Sequence, residues 1–463
     1  MLYQSEKELL YKAQQAEGKT FGEIDKSGRV QNERSKGHLG QIIEESFFGY
    51  QVNSNSEADF ADLGIELKVT PIRKNKNGTL SAKERLVLNI INYMEESTTT
   101  FETSSFWRKN KELLLMFYEW IPEIRRADYR IIKSYLHRYA EEDLEIIKQD
   151  WQLINEKIRK GLAHELSEAD TNYLAACTKG ANRSSLREQP FSEVPAMQRA
   201  YSLKQSYMTA LVRKIILNKE LISIASPHEL KQRTLLQILK DKFKPFIGKN
   251  LNELSYSQGI SINYKSKSFL QIFVSNLLGI KGTKLDEIDE FVKANIQLKT
   301  VRLEPNGRPE QHMSFKNIDL MKWAVEDWEN SWLYNYFSET KILFVVFQYK
   351  ETKKQNPNRK LYFNGIKLWN MPPGEINGRL KTFWSDVQIL INNGIHLEPK
   401  IQRKRIIIAN NLPKPKSNGL CHIRPKGRNG NDRVPLPDGR MIAKQSFWLD
   451  REWVASILKV DEV

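Results

Sequence analysis

The sequence predicts an α/β protein made of two similar domains in tandem, each with a mixed central sheet flanked by helices. Its 463 residues are enough for two to four domains of roughly 100–200 residues each. Between Leu63 and Thr70 apolar and other residues alternate strictly, which is typical of a strand with one apolar face. Short motifs of the first half also recur in order in the second half, which favours one domain used twice.

The first half carries the clearest patterns of secondary structure. Apolar residues at three- and four-residue spacing predict helices over residues 5–16, 39–48 and 141–159. Gly49 follows the second of these segments, where a glycine commonly ends a helix. The alternating strand is expected to end at Pro71, and apolar runs over 86–91 and 113–118 predict two further strands.

The repeated motifs define the expected domain bounds. The matching pairs are 47–49 with 277–279, 64–68 with 295–299, 179–182 with 426–429, and 204–207 with 444–447. A lysine-rich stretch with two prolines lies between the halves. We therefore expect a first domain over 1–216, a connector over 217–250 and a second domain over 251–463.

Composition narrows the range of functions. The net charge of +16 indicates a polyanionic partner such as DNA, RNA or an acidic surface, although a housekeeping protein with a basic surface is an alternative. Two cysteines, Cys177 and Cys421, exclude a disulfide framework and a four-cysteine zinc site. The first residues lack the apolar core of a signal peptide, and no apolar run reaches the ~18 residues of a membrane span. These features predict a cytoplasmic protein without a membrane partner.

A carboxylate and lysine motif surrounds the alternating strand. Glu66 and Lys68 lie on one face of the strand, and Asp59 precedes Glu66 by seven residues. Two carboxylates can hold Mg²⁺, and a neighbouring lysine can orient an attacking water, so the set suits phosphodiester hydrolysis. Glu44 near the end of the preceding helix and Lys109 before the next strand can join the same site. The alternative is a solvated strand face with an incidental Glu–Lys pair.

Two segments around this motif resemble a known nuclease family. KGHLGQIIEESFFG over 36–49 and ADFADLGIELKVTP over 58–71 look like the mismatch-repair endonuclease MutH. The length and the duplication resemble more closely its two-domain relatives, the GATC-cutting type II restriction endonucleases of the staphylococcal kind. This resemblance implies two PD-(D/E)xK domains and Mg²⁺-dependent double-strand cleavage before the guanine, with 5′ overhangs. It also implies a cognate DNA methyltransferase as a functional partner. Because one chain would supply one active site, two cuts across a palindrome require a transient pairing of two chains on DNA or sequential nicking.

The resemblance assigns roles to the residues of the motif. The metal ligands fall on Asp59 and Glu66, and the catalytic lysine falls on Lys68. Glu44 is the supporting acid, and Lys109 is the additional lysine of the active site. Asp62 is a nearer carboxylate and a possible substitute, but the seven-residue offset favours Asp59.

The family's recognition loop carries Arg-Pro-Lys, which the second half matches as Arg424, Pro425 and Lys426. The first half reads Cys-Thr-Lys and matches only at Lys179. A lysine or arginine can donate to guanine in the major groove, and the alternative is non-specific contact with phosphate.

Lys204 and Lys444 are each followed by Gln-Ser and an aromatic residue. We expect both to contact the DNA backbone, and the alternative is a solvated lysine at the edge of a helix or strand.

The second half has lost most of the catalytic set. Gln297 stands opposite Glu66, and only Lys68 has a lysine counterpart, Lys299. The remaining counterparts are Val274 for Glu44, Glu339 for Lys109 and, if no gap intervenes, Glu290 for Asp59. We therefore expect a second half that binds another copy of the recognition sequence as an allosteric effector but does not cut. The alternative for the second half is a structural relic. For the whole protein, the alternatives are a mismatch-repair nickase that cuts one strand and a non-catalytic DNA-binding regulator.

Overall fold

The computed structural model describes residues 3–31, 37–50, 57–75, 77–180, 184–259, 269–280, 287–402, 405–429 and 431–459. Residue 36 and residues 181–182, which belong to the sequence motifs, lie outside these ranges. The chain forms two compact units. Unit 1 comprises Met1–Ile238 and Asp286–Asn295, and unit 2 comprises Leu239–Leu285 and Ile296–Val463.

Unit 1 is built around a mixed four-stranded sheet. The strands of unit 1, in all of its sheets, are β1 Ile65–Lys74, β2 Leu80–Ala82, β3 Leu86–Ile90, β4 Glu112–Glu119, β5 Ile131–Arg138, β6 Leu174–Thr178, β7 Leu186–Gln189, β8 Ser192–Met197 and β9 Arg199–Leu203. The main sheet has the order β2-β1-β4-β5, in which β1 and β4 are parallel and the other pairs are antiparallel. A second sheet has the order β3-β9-β6, and β7 pairs with β8.

Helices cover these sheets, as expected for an α/β unit. They are α1 Glu6–Gln14, α2 Phe21–Ile24, α3 His38–Ile42, α4 Tyr93–Glu96, α5 Ser105–Asn110, α6 Glu141–Arg159, α7 Gln205–Leu217 and α8 Pro227–Gln232. The predicted helix over 141–159 is confirmed as α6. The predicted helix over 39–48 is α3 followed by a π-helical turn, Ile43–Phe48, and Gly49 ends it at φ +78°.

The expected end of the first strand at Pro71 is wrong, because β1 continues to Lys74. The carbonyl of Pro71 points away from β4 and accepts a hydrogen bond from the backbone of Lys83. Ile72, the next residue, points towards β4 and accepts from Trp120. The missing N–H of Pro71 therefore costs nothing in the β1–β4 ladder.

Unit 2 repeats this plan with its own sheets. The chain continues through α9 Leu235–Phe243, α10 Leu251–Gln258 and α11 Phe269–Leu277, returns to unit 1 for α12 Asp289–Lys293, and then enters β10. The strands of unit 2 are β10 Ile296–Leu303, β11 Met313–Asn317, β12 Lys341–Tyr349, β13 Leu361–Trp369, β14 Leu397–Gln402, β15 Arg405–Asn410, β16 Cys421–Pro425, β17 Arg433–Pro435, β18 Met441–Ala443 and β19 Gln445–Leu449. Its later helices are α13 Leu320–Val325, α14 Trp332–Glu339, α15 Pro373–Glu375, α16 Lys381–Asn392 and α17 Arg451–Lys459.

The sheets of unit 2 correspond to those of unit 1. β10 and β12 are parallel and β13 is antiparallel, as β1, β4 and β5 are. The order β11-β19-β16 corresponds to β3-β9-β6. The prediction of two tandem α/β domains with mixed sheets flanked by helices is thereby confirmed. Among the described residues, no helix is long and apolar enough to span a membrane.

The core of unit 1 fixes the strand that carries the predicted motif. Ile65 and Leu67 of β1 pack with Leu9, Leu114 and Met116 in one buried cluster. Each such side chain contributes about 1.5–3 kcal/mol when it is fully buried. Because side chains alternate along a strand, Glu66 and Lys68 lie on the opposite face of β1.

Candidate active site

A turn before β1 brings Asp59 next to Glu66. Gly64 adopts φ +68°, and the backbone of Phe60 pairs with that of Ile65, so the chain folds back on itself. The N–H of Asp59 donates to Oε2 of Glu66 at 3.2 Å, and the N–H of Leu67 donates to Oδ2 of Asp59 at 3.0 Å. Two carboxylates seven residues apart are thus held against each other by backbone hydrogen bonds.

Two lysines converge on Glu66, whose side chain is only 4% exposed. Nζ of Lys68 lies 2.8 Å from Oε1 of Glu66, and Nζ of Lys109 lies 3.7 Å from the same oxygen. Lys109 reaches the site because α5 leads directly into β4, and Leu113 of β4 pairs with Glu66.

Glu44 completes a group of three carboxylates. It lies in the π-helical turn after α3, and burial together with the charges of Asp59 and Glu66 raises its pKa to about 7. Burial and the charge of Glu66 raise the pKa of Asp59 to about 6. Like charges that are held together in a partly buried place disfavour ionisation of each other.

This set of donors fits a hard divalent cation. Three carboxylates supply the oxygen ligands that Mg²⁺ prefers, and burial and then the neighbouring carboxylates raise the pKa values of Glu44 and Asp59. A bound cation would relieve this repulsion and favour the ionised carboxylates. The structure thus brings together all five residues that the sequence motif proposed.

Tyr50 is a neighbour of the site that the sequence analysis missed. Its ring packs against Phe60 at 5.5 Å between centroids, and its buried hydroxyl has no hydrogen-bond partner among the described residues. Burial and the nearby carboxylates, first Asp59 and then Glu44, raise the pKa of Tyr50 far above its ordinary value. Only its position directly after Gly49 could have pointed to it.

The corresponding turn and strand around β10 keep the backbone conformation and lack the acid of Glu66. Asn295 adopts φ +53° before β10, as Gly64 does before β1. Gln297 and Lys299 occupy the positions of Glu66 and Lys68, because Gln297 pairs with Ile342 of β12 as Glu66 pairs with Leu113 of β4.

Glu290, the counterpart of Asp59, makes different contacts. Its carboxylate accepts hydrogen bonds from Oγ of Ser223 at 2.6 Å and from the backbone N–H groups of Ile224 and Ala225. All these residues belong to unit 1. The retained acid therefore serves a structural contact.

The counterparts of the other two groups are also lost. Val274, opposite Glu44, is fully buried and has no carboxylate. Lys109 lies three residues before β4, and the residue three before β12 is Ser338. The expected counterpart Glu339 is therefore shifted by one position, and neither residue is a lysine.

The predicted recognition residues lie at equivalent strand ends. Lys179 follows β6 and donates its backbone N–H to Gln198, and Lys426 follows β16 and donates to Lys444 in the same way. Arg424 and Pro425 are exposed, as are both lysines. The Arg424 guanidinium lies 5.3 Å from the ring of Trp448, in a cation–π contact.

Lys204 and Lys444 are not structural counterparts, although their sequences match. Lys204 follows β9, whereas Lys444 precedes β19, and the residue that follows β19 is Asp450. Lys204 is buried and its Nζ donates to the carbonyl of Thr171, while Lys444 forms an ion pair with Asp432 at 2.6 Å.

A cluster of two histidines and one aspartate in unit 2 also escaped the sequence analysis. Nδ1 of His422 lies 2.5 Å from Oδ1 of Asp450, and Nδ1 of His312 lies 3.5 Å from the same oxygen. Burial lowers the pKa of His422 to about 4, so the ring is neutral near pH 7. The three residues are spread over positions 312 to 450, so no local sequence pattern predicts that they form a cluster.

The sheet and the site define a class of protein first. A mixed sheet whose β1 presents Glu66 and Lys68 after an aspartate on a turn is the arrangement of a MutH-like nuclease of the PD-(D/E)xK type. The family model described as DNA mismatch repair enzyme MutH matches residues 48–150 and 281–379, one region in each half of the sequence. The chain is 37% identical over 480 aligned residues to the type II restriction enzyme Sau3AI of Staphylococcus aureus, with 96% of each chain covered. It belongs to this family of type II restriction enzymes, as the sequence resemblance indicated, and it is a site-specific deoxyribonuclease.

Single-domain relatives match about half of the chain. The DNA mismatch repair protein MutH of Escherichia coli is 29% identical over 218 residues, which are 46% of this chain and 93% of the relative. MutH of Shewanella woodyi is 32% identical over 190 residues, which are 39% of this chain and 78% of the relative. The chain therefore carries a second MutH-like region that these relatives lack.

Proposed function

We propose that unit 1 cuts DNA at GATC before the guanine with Mg²⁺, and that unit 2 binds a second copy of the sequence as an effector. The observation that carries this proposal is the contrast between the units. Asp59, Glu66, Lys68 and Lys109 converge in unit 1, whereas unit 2 has Gln297 in place of Glu66. Glu290, the counterpart of Asp59, is bonded to Ser223 within unit 1. The choice of GATC rests on the family resemblance.

Each side chain of the cluster in unit 1 has a separate role in the proposed hydrolysis. Asp59 and Glu66 would hold Mg²⁺, which when bound supplies positive charge against the scissile phosphate and the departing 3′ oxygen. Lys68, fixed 2.8 Å from Glu66, orients the attacking water. Lys109 offsets the phosphate charge. Glu44, whose pKa is raised to about 7 in the metal-free cluster, would ionise when the cation binds and supply a third carboxylate.

Recognition is assigned to the exposed strand ends. Lys179 in unit 1 and Arg424 and Lys426 in unit 2 are exposed and suited to contact bases or phosphates. We leave Lys204 out of this surface because its ammonium group is buried and donates a hydrogen bond to the carbonyl of Thr171. Lys444 would contribute only if DNA displaced its partner Asp432.

Double-strand cleavage sets a requirement on stoichiometry. One chain supplies one complete cluster, so two cuts across a palindrome require a transient pair of chains on DNA or two successive nicks. We place this cytoplasmic activity beside a cognate methyltransferase that protects the host sites. The mismatch-repair nickase is less favoured because of the second MutH-like region, and the non-catalytic regulator because of the complete cluster in unit 1.

The test is cleavage of an unmethylated plasmid with several GATC sites, next to the same plasmid with those sites mutated. We expect defined linear fragments that require Mg²⁺ and disappear with Glu66→Ala, while the mutated plasmid stays intact. Only open circles would point to the nickase. Intact GATC plasmid, or cleavage unchanged in Glu66→Ala, would reject the assignment.

The effector role has its own test. Adding a short GATC duplex should accelerate cleavage of a plasmid with a single site, whereas a scrambled duplex should not. Lys426→Ala should raise the duplex concentration needed for stimulation and leave the Mg²⁺ dependence unchanged. If the rate never depends on a second duplex, the effector role is wrong.

A further inference from the structure

Lys299 has been left without the acid that accompanies its counterpart. In unit 1, Lys68 pairs with Glu66 at 2.8 Å. In unit 2, Nζ of Lys299 donates to the carbonyl of Ser314 at 3.1 Å and lies 4.5 Å from the ring of Phe315. No carboxylate within the described ranges forms an ion pair with it.

A second ammonium group reaches the same two residues. Lys426, at the end of β16, donates its Nζ to Oγ of Ser314 at 3.1 Å and to the carbonyl of Phe315 at 2.8 Å. It too has no ion-pair partner in the part of unit 2 that the structure describes. Two positive charges therefore meet at the start of β11, and burial together with Lys426 lowers the pKa of Lys299 to about 8.

Both ammonium groups donate to Ser314, which lines a cavity of about 570 Å³ in unit 2. Lys299, Thr300, Arg302 and Ser314 line it, and Glu310 is the single carboxylate among the described lining residues. The volume is many times the ~30 Å³ of a water molecule, so a phosphodiester group fits. An anion placed here would accept hydrogen bonds from hydroxyl and ammonium groups and balance charges that the protein leaves unbalanced.

We propose that this cavity binds one backbone phosphate of uncut DNA without a metal ion. This proposal rests on the second DNA site proposed above, and it identifies a backbone phosphate as the part of the DNA that the site binds. The change from Glu66 to Gln297 and the diversion of Glu290 remove the groups that would attract Mg²⁺, while Lys299 is retained. A centre that needs a cation to approach DNA has thus become one that attracts the phosphate directly.

The experiment measures binding of a labelled GATC duplex to the full chain by fluorescence anisotropy in EDTA. We expect two duplexes per chain, and Lys299→Gln should weaken one of the two binding steps by about tenfold. The slope of log K against log salt for that step should fall by about 0.9, the value for one lost phosphate contact. Lys299→Arg should largely preserve the step, and Lys353→Gln, at an exposed lysine of unit 2, is the matched control.

Two further measurements guard against a variant that only disturbs folding. Lys426→Gln changes an exposed side chain and should weaken the same step. In the wild-type chain, replacing single DNA phosphates by uncharged methylphosphonates should identify one position that weakens this step, and Lys299→Gln should abolish the effect of that position. If free inorganic phosphate were the ligand, no methylphosphonate would matter, and the inference would be overturned.

These outcomes distinguish failure of the phosphate assignment from failure of the proposed second DNA site. If only one duplex binds, the proposed second site fails and the inference fails with it. If two bind and both lysine variants leave the affinities and salt slopes unchanged, only the phosphate assignment is wrong.

Discussion

Exchanging one residue pair between the units is the sharpest test of which unit cuts. Glu66→Gln gives β1 the residue that β10 carries, and Gln297→Glu gives β10 the residue of β1. Both changes keep the shape of the side chain and alter its charge. The exchange therefore probes the charge pattern of each centre with little change in packing.

The expected loss in unit 1 follows from its charges. Three carboxylates and two ammonium groups leave one net negative charge when all are ionised, and Glu66→Gln removes it. A neutral centre holds Mg²⁺ weakly, and Lys68 and Lys109 lose the acid on which they converge. We expect the cleavage rate to fall by at least about 10³-fold, or about 4 kcal/mol.

The reverse change in unit 2 should not create a second cutting centre. Gln297→Glu adds one carboxylate beside Lys299, but Glu290 remains bonded to Ser223, Ile224 and Ala225. Val274 still supplies no oxygen where unit 1 has Glu44. The double variant Glu66→Gln with Gln297→Glu should therefore be as inactive as Glu66→Gln alone.

The assay is the first-order rate of plasmid linearisation at several Mg²⁺ concentrations, with thermal unfolding to verify that each variant is folded. Recovery of cleavage in the double variant would refute the reasoning about unit 2. Retention of more than a tenth of the rate in Glu66→Gln would refute the reasoning about unit 1.

Three further predictions concern unit 1. Lys109→Met should lower the cleavage rate by about 10²-fold because a cation facing Glu66 and the phosphate is lost, whereas Arg108→Met, at the exposed neighbour on α5, should cleave normally. Without metal, Asp59 keeps its proton in the folded chain up to about pH 6, so the free energy of unfolding should fall as pH rises from about 4 to 7. Asp59→Asn should remove about 3 kcal/mol of that fall, as measured by urea titrations at several pH values. A pH dependence identical in both proteins would contradict the raised pKa. Lys293→Met should destabilise unit 1 by about 3–5 kcal/mol, because it leaves the buried Asp143 and the partly buried Asp289 without their shared partner. Lys219→Met, at an exposed lysine, should change the urea midpoint little.

The sequence predicted those features that local patterns determine. The helix over 141–159 has the predicted bounds because its apolar stripe is long and regular. The candidate active-site cluster was predictable because Asp59, Glu66 and Lys68 lie within ten residues, and one turn and one strand position them. Pro71 was misread, since only the pairing of β1 shows that its missing N–H faces away from β4.

Features that depend on distant contacts were not predictable. The match of Lys204 with Lys444 was wrong as a structural equivalence because the sheet register, rather than three shared letters, decides which residues correspond. His312 and His422 are 110 residues apart, and Lys299 and Lys426 are 127 apart, so only the pairing of distant strands brings each pair together.

The return of the chain to unit 1 at Asp286–Asn295 bears on how this protein can be divided. No single cut separates the units, because a fragment that ends at residue 216 or 250 lacks α12 and with it Lys293 and Glu290. A fragment that ends at Asn295 keeps them but also carries residues 239–285, which pack in unit 2. Although the sequence consists of two similar halves, a segment of the second half belongs to the fold of unit 1, so neither half is a module that recombination could exchange cleanly.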